Sequence, residues 1–313
     1  MIKYTSFFHL RVINDPFFRS QRGLRQGYPM SPILFIFGMD AMSQWIGKAK
    51  QEGMIRGVQV SPNQQLSHVL FVDDVLLLGA ATVEEWTNYH MITYVFCSAM
   101  GMMISSSKSI LIHAEKVLQP EIAEIFAIDG VPLGEGFKYL GFFMKPNSYR
   151  IRDWVWLWKR IEKKTNHWVN RYLTLGGRLT LAKSVLESMP VYWLSLYKVP
   201  CTILAGIRKR IFSFIWKGNN SLEKLHLARW EILAMPKNKG RWGIKNLSLF
   251  SQALRLKSLW RGLTANTFWG QVLIDKYLGK QYSVMEWLRM EHFQSTNTSI
   301  IWWGFTEVAR WIK

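Results

Sequence analysis

Apolar and polar positions follow two different periods along this chain, and the change falls near residue 150. Before it, short β-favouring runs alternate with turn residues and with two helical stretches. The run FHLRVI ends at Asn14-Asp15-Pro16 and resumes at Phe17-Phe18, which predicts a hairpin over residues 7–22. The polar, Gly-bearing loop RGLRQGYPM follows; Ser31 as a cap with Pro32 behind it predicts a helix over about residues 32–48. A loop directly before a helix N-terminus presents backbone N–H groups, so it is either an anion-holding loop or a plain capping turn. LSHVLFVDDVLLLGA reads as two short strands, each of about four to seven residues, joined at Asp73-Asp74. Thr82-Val83-Glu84-Glu85 has capping-box spacing and starts a second helix, with Trp86, Tyr89, Phe96 and Met100 on its buried face and Gly101 at its end. A strand at 110–113 and a strand pair around 139–144 complete a set of hairpins crossed by two helices. That order predicts an α+β unit: an antiparallel sheet with helices on one face.

From residue 151 the period changes to that of helices. Trp154, Leu157, Trp158, Ile161, Thr165, Trp168 and Tyr172 recur at three-to-four spacing, while Arg152, Lys159, Arg160, Lys163 and Lys164 lie mostly off that stripe. One face is expected to pack and another to be basic. Gly176-Gly177 is expected to break this helix; a second should run over 178–189 before Pro190, and a third over about 204–216 with Arg208-Lys209-Arg210. From about residue 222 helices continue, separated by the turn PKNKGRWG. Three segments result: an α+β domain over 1–147, a helical domain over 148–220 and a C-terminal helical segment over 221–313.

Charge sharpens this division. The chain has 313 residues, is 49% hydrophobic and carries a formal charge of +19, enough apolar content for a substantial core. Residues 1–150 hold 13 Lys and Arg against 12 Asp and Glu, whereas residues 151–313 hold 27 against 9 and also 14 of the 16 tryptophans. Cationic side chains neutralise phosphates with counterion release, and aromatic faces stack on bases, so nucleic acid is the leading partner. The alternative is a basic helical bundle whose tryptophans are all core; an anionic membrane surface is the lesser one. Cys97 and Cys201 stand far apart without neighbouring His, which excludes a disulfide framework or a cysteine-based zinc site. His9, His90, His113, His167, His226 and His292 show no ligand spacing either. The N-terminus lacks the apolar core of a signal peptide, and the longest apolar stretch, ILFIFGM, is too short to span a bilayer. The expectation is a soluble protein of the nucleus or cytoplasm, neither secreted nor membrane-bound.

The acidic pair is the chemical oddity. An ionised carboxylate in an apolar setting costs several kcal/mol, and a second beside it adds repulsion. Protonation, a cationic partner or a divalent metal relieves this, and no Lys, Arg or His is nearer in sequence than His68. Asp73 and Asp74 therefore read either as hard-cation ligands at a hairpin tip or as an ordinary Asp-Asp turn.

In their order and spacing these motifs resemble the reverse transcriptase of LINE-type (non-LTR) retrotransposons, particularly plant elements. RGLRQG with Pro29 and Ser31-Pro32 is similar to the family's loop-plus-helix, FVDD to its metal-binding hairpin, GMMISSSKS to its Gly-to-Lys-Ser segment, and KYLGFF to its Tyr-Leu-Gly strand. LGGRLTLAKSVLESMPVYWLS and IFSFIWKG look like the thumb and its extension, and PKNKGRWGIKNLSLFSQALRLKSLWR resembles the segment preceding a zinc-binding domain in those elements. The resemblance implies a partial palm followed by a helical thumb, and RNA-directed DNA synthesis on an RNA template and DNA primer with Mg2+ or Mn2+. It makes Asp73 and Asp74 the catalytic metal ligands. Arg22, Arg25, Gln26 and Gly27 would line the nucleotide and template side, Lys108 would approach the phosphates, and Tyr139, Leu140 and Gly141 would belong to the primer grip.

Three departures accompany it. Only 21 residues precede Arg22, so the family's upstream strand with a further essential aspartate is expected to be missing, along with the zinc-binding domain beyond the other end. Tyr28 stands where LINE-type members usually carry Asp, and Ser105 where they carry Asn. The expectation is a reverse transcriptase fragment, inactive alone. The alternatives are a non-catalytic nucleic-acid binder using the basic helical half and a pseudogene product without a role. A group II intron maturase fits the GGR and WKG segments less well.

Overall fold

The computed structural model describes residues 23–25, 27–114, 120–146, 148–169, 173–217, 228–278, 283–290 and 298–310. The hairpin expected over 7–22, Arg22, Gln26 and Tyr172 lie outside the described residues. Two compact units divide the chain, Met1–Pro146 and Asn147–Lys313.

In the first unit α1 (Ser31–Gln51) is followed by β1 (Val58–Ser61), β2 (Gln64–Leu66), β3 (His68–Phe71) and β4 (Asp74–Leu77), then α2 (Val83–Met100), β5 (Leu111–His113), α3 (Pro120–Phe126), β6 (Gly130–Pro132), β7 (Phe137–Tyr139) and β8 (Phe142–Met144). The mixed α+β character matches the pattern read from the sequence. The strands form four two-stranded pairs; β1–β2, β3–β4 and β7–β8 are antiparallel hairpins, whereas β5 and β6 run parallel. That last pairing corrects the all-antiparallel expectation: α3 lies between the two strands and returns the chain in the same direction, as parallel pairing requires. Met39, Met42 and Ile46 of α1 pack with Tyr89, Phe96 and Cys97 of α2 and Val75 of β4 in one core.

Local chemistry departs from expectation at three points here. Ser31 is the first helical residue rather than the cap; Met30 takes that place, and the Ser31 hydroxyl donates back to the Arg25 carbonyl at 2.7 Å. The capping box before α2 does not form, because Glu85 is drawn into the interior. Met100 is 37% exposed, one turn beyond the buried stripe. Gly101 ends α2 with φ 66°, the left-handed cap its lack of a Cβ allows.

The second unit is helical in its described residues: α4 (Val155–Val169), α5 (Leu175–Leu181), α6 (Val191–Leu194), α7 (Cys201–Lys217), α8 (Trp230–Leu233), α9 (Leu247–Thr264), α10 (Phe268–Leu273), α11 (Val284–Arg289) and α12 (Ile300–Ala309). Trp154, Leu157, Ile161 and Thr165 are buried and Arg152, Lys159, Arg160, Lys163 and Lys164 are exposed, so the periodic stripe is the packed face. Gly176-Gly177 lies inside the first turn of α5 instead of before the helix; Thr174 caps that turn by accepting from Gly177 N at 3.2 Å, which sets the start three residues early. Hydrogen bonds tie residues 148–220 to 221–313 within this unit: Lys245 N donates to Glu187 Oε1 and Ser251 Oγ to the Leu194 carbonyl. Trp154, Trp193, Trp216, Trp230, Trp287 and Trp302 are core residues.

Candidate functional site

The β3–β4 hairpin pairs His68 with Leu77 and Phe71 with Asp74, which leaves Val72-Asp73 as a two-residue connection. Tight hairpin turns require a positive φ at the first central position, normally supplied by Gly. Val72 supplies it here with φ 53°, a strained setting for a β-branched residue that costs on the order of 1–3 kcal/mol. This turn positions both acids. Asp74 opens β4 and is 9% exposed, with its Oδ1 buried and without a hydrogen-bond partner. Asp73 stands beside it, half-buried, while Phe71 and Val72 are 55% and 64% exposed. Two carboxylates are thus presented at a tip, one of them desolvated and unsatisfied, which is the arrangement that gains most from a hard cation.

The base of the same hairpin is closed by residues that sequence reasoning placed elsewhere. Leu78 N donates to the Ser67 carbonyl at 2.8 Å, extending the ladder. Tyr89 Oη lies 2.9 Å from that carbonyl and 2.8 Å from the Leu78 carbonyl, so its one proton is shared between the two strands. Burial, then the Glu85 charge, push the Tyr89 phenol far above its usual range, so it stays a donor. Glu85 is 3% exposed and accepts from Arg56 N at 3.0 Å and Gly57 N at 2.8 Å through Oε1, and from Ala80 N at 3.2 Å through Oε2. Three backbone donors satisfy this carboxylate. His68 joins α1 to β3, with Nε2 2.8 Å from Ser43 Oγ and Nδ1 3.0 Å from Ser67 Oγ; burial, then the Lys50 charge, lower its pKa. One signal did point to Glu85: it shares the helical stripe of Tyr89, Thr93 and Phe96, so the periodicity puts a carboxylate on the buried face.

The other candidates spread over neighbouring loops. The Arg25 carbonyl accepts from Tyr28 N at 3.2 Å and Gly27 has φ 81°, so this loop closes on itself before α1, with Arg25 and Gly27 both exposed. Lys108 is exposed at the end of a short 3-10 turn, Ser106–Lys108. Leu140 and Gly141, with φ 47° and 78°, form the turn of the β7–β8 hairpin directly after Tyr139. An apolar cavity of about 340 Å³ is walled by Val75 and Leu77 of β4, Trp86 of α2, Leu111 of β5 and Tyr139 of β7, with Ser109 at its edge. It brings the Asp74 strand, the segment after Lys108 and the Tyr139 hairpin around one space. No group of three or more His, Cys, Asp or Glu able to hold a metal occurs among the described residues.

In the second unit, the exposed basic face of α4 is accompanied by Arg208 and Lys209, exposed on α7, the helix packed against it. Arg210 differs: its Nε donates to Thr165 Oγ1 at 2.9 Å and an Nη to Asn166 Oδ1, which ties it to α4. Among the described residues no helix is long and apolar enough to cross a membrane.

Residues 3–144 match the family described as reverse transcriptase (RNA-dependent DNA polymerase). A putative ribonuclease H protein of Arabidopsis thaliana is 33% identical over 131 residues, 42% of this chain and 21% of that protein. The retrovirus-related Pol polyprotein from type-1 retrotransposable element R2 of Popillia japonica is 28% identical over 159 residues, 46% of this chain and 25% of that protein. The transposon TX1 uncharacterized 149 kDa protein of Xenopus laevis is 22% identical over 251 residues, 78% of this chain and 18% of that protein. The chain spans between 18% and 25% of the length of these relatives. Residues 3–144 are thus similar to a reverse transcriptase domain, and the chain is similar to proteins of transposable elements.

Proposed function

We propose that this chain is the hairpin-bearing and thumb-side segment of a LINE-type RNA-directed DNA polymerase, with Asp73 and Asp74 as ligands for Mg2+ or Mn2+. The observation that carries this reading is the buried, unpartnered Oδ1 of Asp74 beside Asp73 at a strained hairpin tip. A purely structural turn gains nothing from such a group, whereas Glu85 close by shows how this fold satisfies a carboxylate it uses structurally.

The donor set fits the ion: carboxylate oxygens are the hard ligands such cations take. Asp73 and Asp74 would hold such cations, which would supply activation of the primer 3′ hydroxyl and stabilisation of the charge of in-line displacement. The chain's own residues would do the rest. Arg22, Arg25, Gln26 and Gly27 would border the incoming nucleotide and template, and Lys108 would meet phosphate. Tyr139, Leu140 and Gly141 would seat the primer end. The basic faces of α4 and α7 would hold an RNA–DNA duplex by its backbone, largely without reading sequence. Two adjacent carboxylates do not by themselves bridge two cations, so the isolated chain binds them weakly and does not extend a primer. Its setting is intracellular, where template and primer are.

Primer extension on an RNA template, with Mn2+ binding measured alongside, tests this. The expected result is weak Mn2+ binding, lost in Asp73→Ala and in Asp74→Asn, and no extension. Binding unchanged in both variants would overturn the ligand assignment, and RNA-templated extension that Asp73→Ala abolishes would overturn the inactivity. A non-catalytic binder is the second reading, favoured by the basic α4–α7 face; it requires duplex affinity that falls steeply with salt and survives Asp73→Ala.

A further inference from the structure

Among the described residues of the second unit, several large aromatic rings are core, whereas three on the adjoining helices α9 and α10 are exposed. Trp154, Trp193, Trp216, Trp230, Trp287 and Trp302 are all 8% exposed or less, whereas Trp260 is 46%, Trp269 48% and Phe268 44% exposed. The three belong to adjoining elements. Lys257, Trp260, Arg261 and Thr264 fall at the i, i+3, i+4, i+7 positions of α9 and are all exposed, while Arg255, Leu259, Gly262 and Leu263 form its buried side. A short turn then starts α10 with Phe268-Trp269, and Thr267 caps it by accepting from Gly270 N at 3.1 Å.

Trp269 is seated, not swinging free. Its Nε1 is 3.5 Å from the Cβ position of Gly262, ordinary van der Waals contact with α9; the atom that leaves no room for a side chain at Gly262 is Leu273 Cδ1, 2.7 Å away. The segment that carries these rings is basic. From residue 232 to residue 274 there is no Asp or Glu and there are seven Lys or Arg. Arg255 among them is buried and donates to the Gly304 carbonyl and to Glu307, whereas Lys257 and Arg261 are exposed on the same side of α9 as Trp260.

We propose that this α9–α10 corner binds single-stranded nucleic acid, with bases stacking on Trp260, Phe268 and Trp269 and phosphates meeting Lys257 and Arg261. Exposed rings interleaved with cations suit a strand whose base faces are free; a duplex offers the same phosphates but keeps its bases stacked inside. The excess of Lys and Arg over this segment, which Asp275 follows, is complementary to a polyanion. None of these residues belongs to the Asp73-Asp74 hairpin or to the basic faces of α4 and α7, so the proposal stands or falls independently of the polymerase reading.

The test uses the full chain with a fluorescent oligo(dT) of about 20 nucleotides and a duplex of equal length, compared by anisotropy at low and moderate salt. The double variant Trp260→Ala/Trp269→Ala is expected to lose about ten-fold or more in oligo(dT) affinity while its duplex affinity changes by less than about two-fold. Trp260→Phe/Trp269→Phe should retain most of the binding, which separates stacking from loss of fold. Lys257→Glu/Arg261→Glu leaves the rings in place and should also abolish oligo(dT) binding. Unchanged oligo(dT) affinity in the alanine variant, equal losses for single strand and duplex, or tight binding in the charge-reversed variant would each overturn the proposal.

Discussion

Asp74 at the tip of the β3–β4 hairpin and Glu85 beneath its base are buried carboxylates of the same unit, and the fold treats them in opposite ways. Glu85 receives three backbone N–H groups and knots the β1 approach, the loop after β4 and α2 together. Asp74 keeps one oxygen buried and unpaired, on a strand whose start is set by a strained Val72. Tight satisfaction at the base is what allows an unsatisfied group at the tip: rigidity there holds the carboxylate in place when relaxation would otherwise hydrate it. Strain and unmet polarity collect where chemistry is proposed, and full hydrogen bonding collects where the structure must hold.

Substitutions at the two ends should therefore differ in sign. Glu85→Ala leaves three buried N–H groups without an acceptor and is expected to cost about 3 kcal/mol or more in urea unfolding, with accelerated amide exchange at Gly57 and Ala80. A loss no larger than that of a surface change would break the contrast. Asp74→Asn removes a desolvated charge and should leave the metal-free protein as stable or more stable, by up to about 1 kcal/mol in the same titration. A destabilisation resembling that of Glu85→Ala would make Asp74 a structural residue.

Two smaller effects sharpen the picture. Val72→Gly should relieve the positive-φ strain and raise stability by about 0.5–1 kcal/mol, visible as a higher urea midpoint at unchanged slope. His68 titrates below its ordinary value of 6.5 because burial and Lys50 oppose its charged form. In the window between the lowered and the ordinary value the unfolded chain binds more protons than the folded one. Stability is thus fully present above 6.5 and declines as pH falls through the folded pKa of His68; His68→Gln should flatten that decline in unfolding curves taken on either side of the window.

The two units differ in how plainly the sequence announces them. In the helical unit, the stripe of Trp154, Leu157, Ile161 and Thr165 is the packed face, because a 3.6-residue period maps directly onto one side of a helix. The hairpins at Asp73-Asp74 and Leu140-Gly141 were readable for a similar reason, since a polar or glycine-bearing pair between β-favouring runs leaves the chain little choice but to turn. Partner choice was less readable. Glu85 had the spacing of a capping box, yet its acceptors went to Arg56, Gly57 and Ala80. Thr174, not the glycine pair after it, decided where α5 begins. The direction of β6 against β5 depended on where α3 returned the chain.

The sequence by itself determined the hairpin that carries Asp73 and Asp74, the main helices and the basic, tryptophan-rich second half, because turn residues, periodicity and charge act over a few neighbouring positions. Only the tertiary structure decided that Tyr89 and Glu85 close the hairpin's base, that Asp74 is left unpaired, and that Trp260 and Trp269 stay outside while the buried tryptophans are core. Those outcomes depend on contacts between residues far apart in the chain, such as Gly57 with Glu85, where competition for a limited set of buried donors and surfaces settles which group is satisfied and which is not.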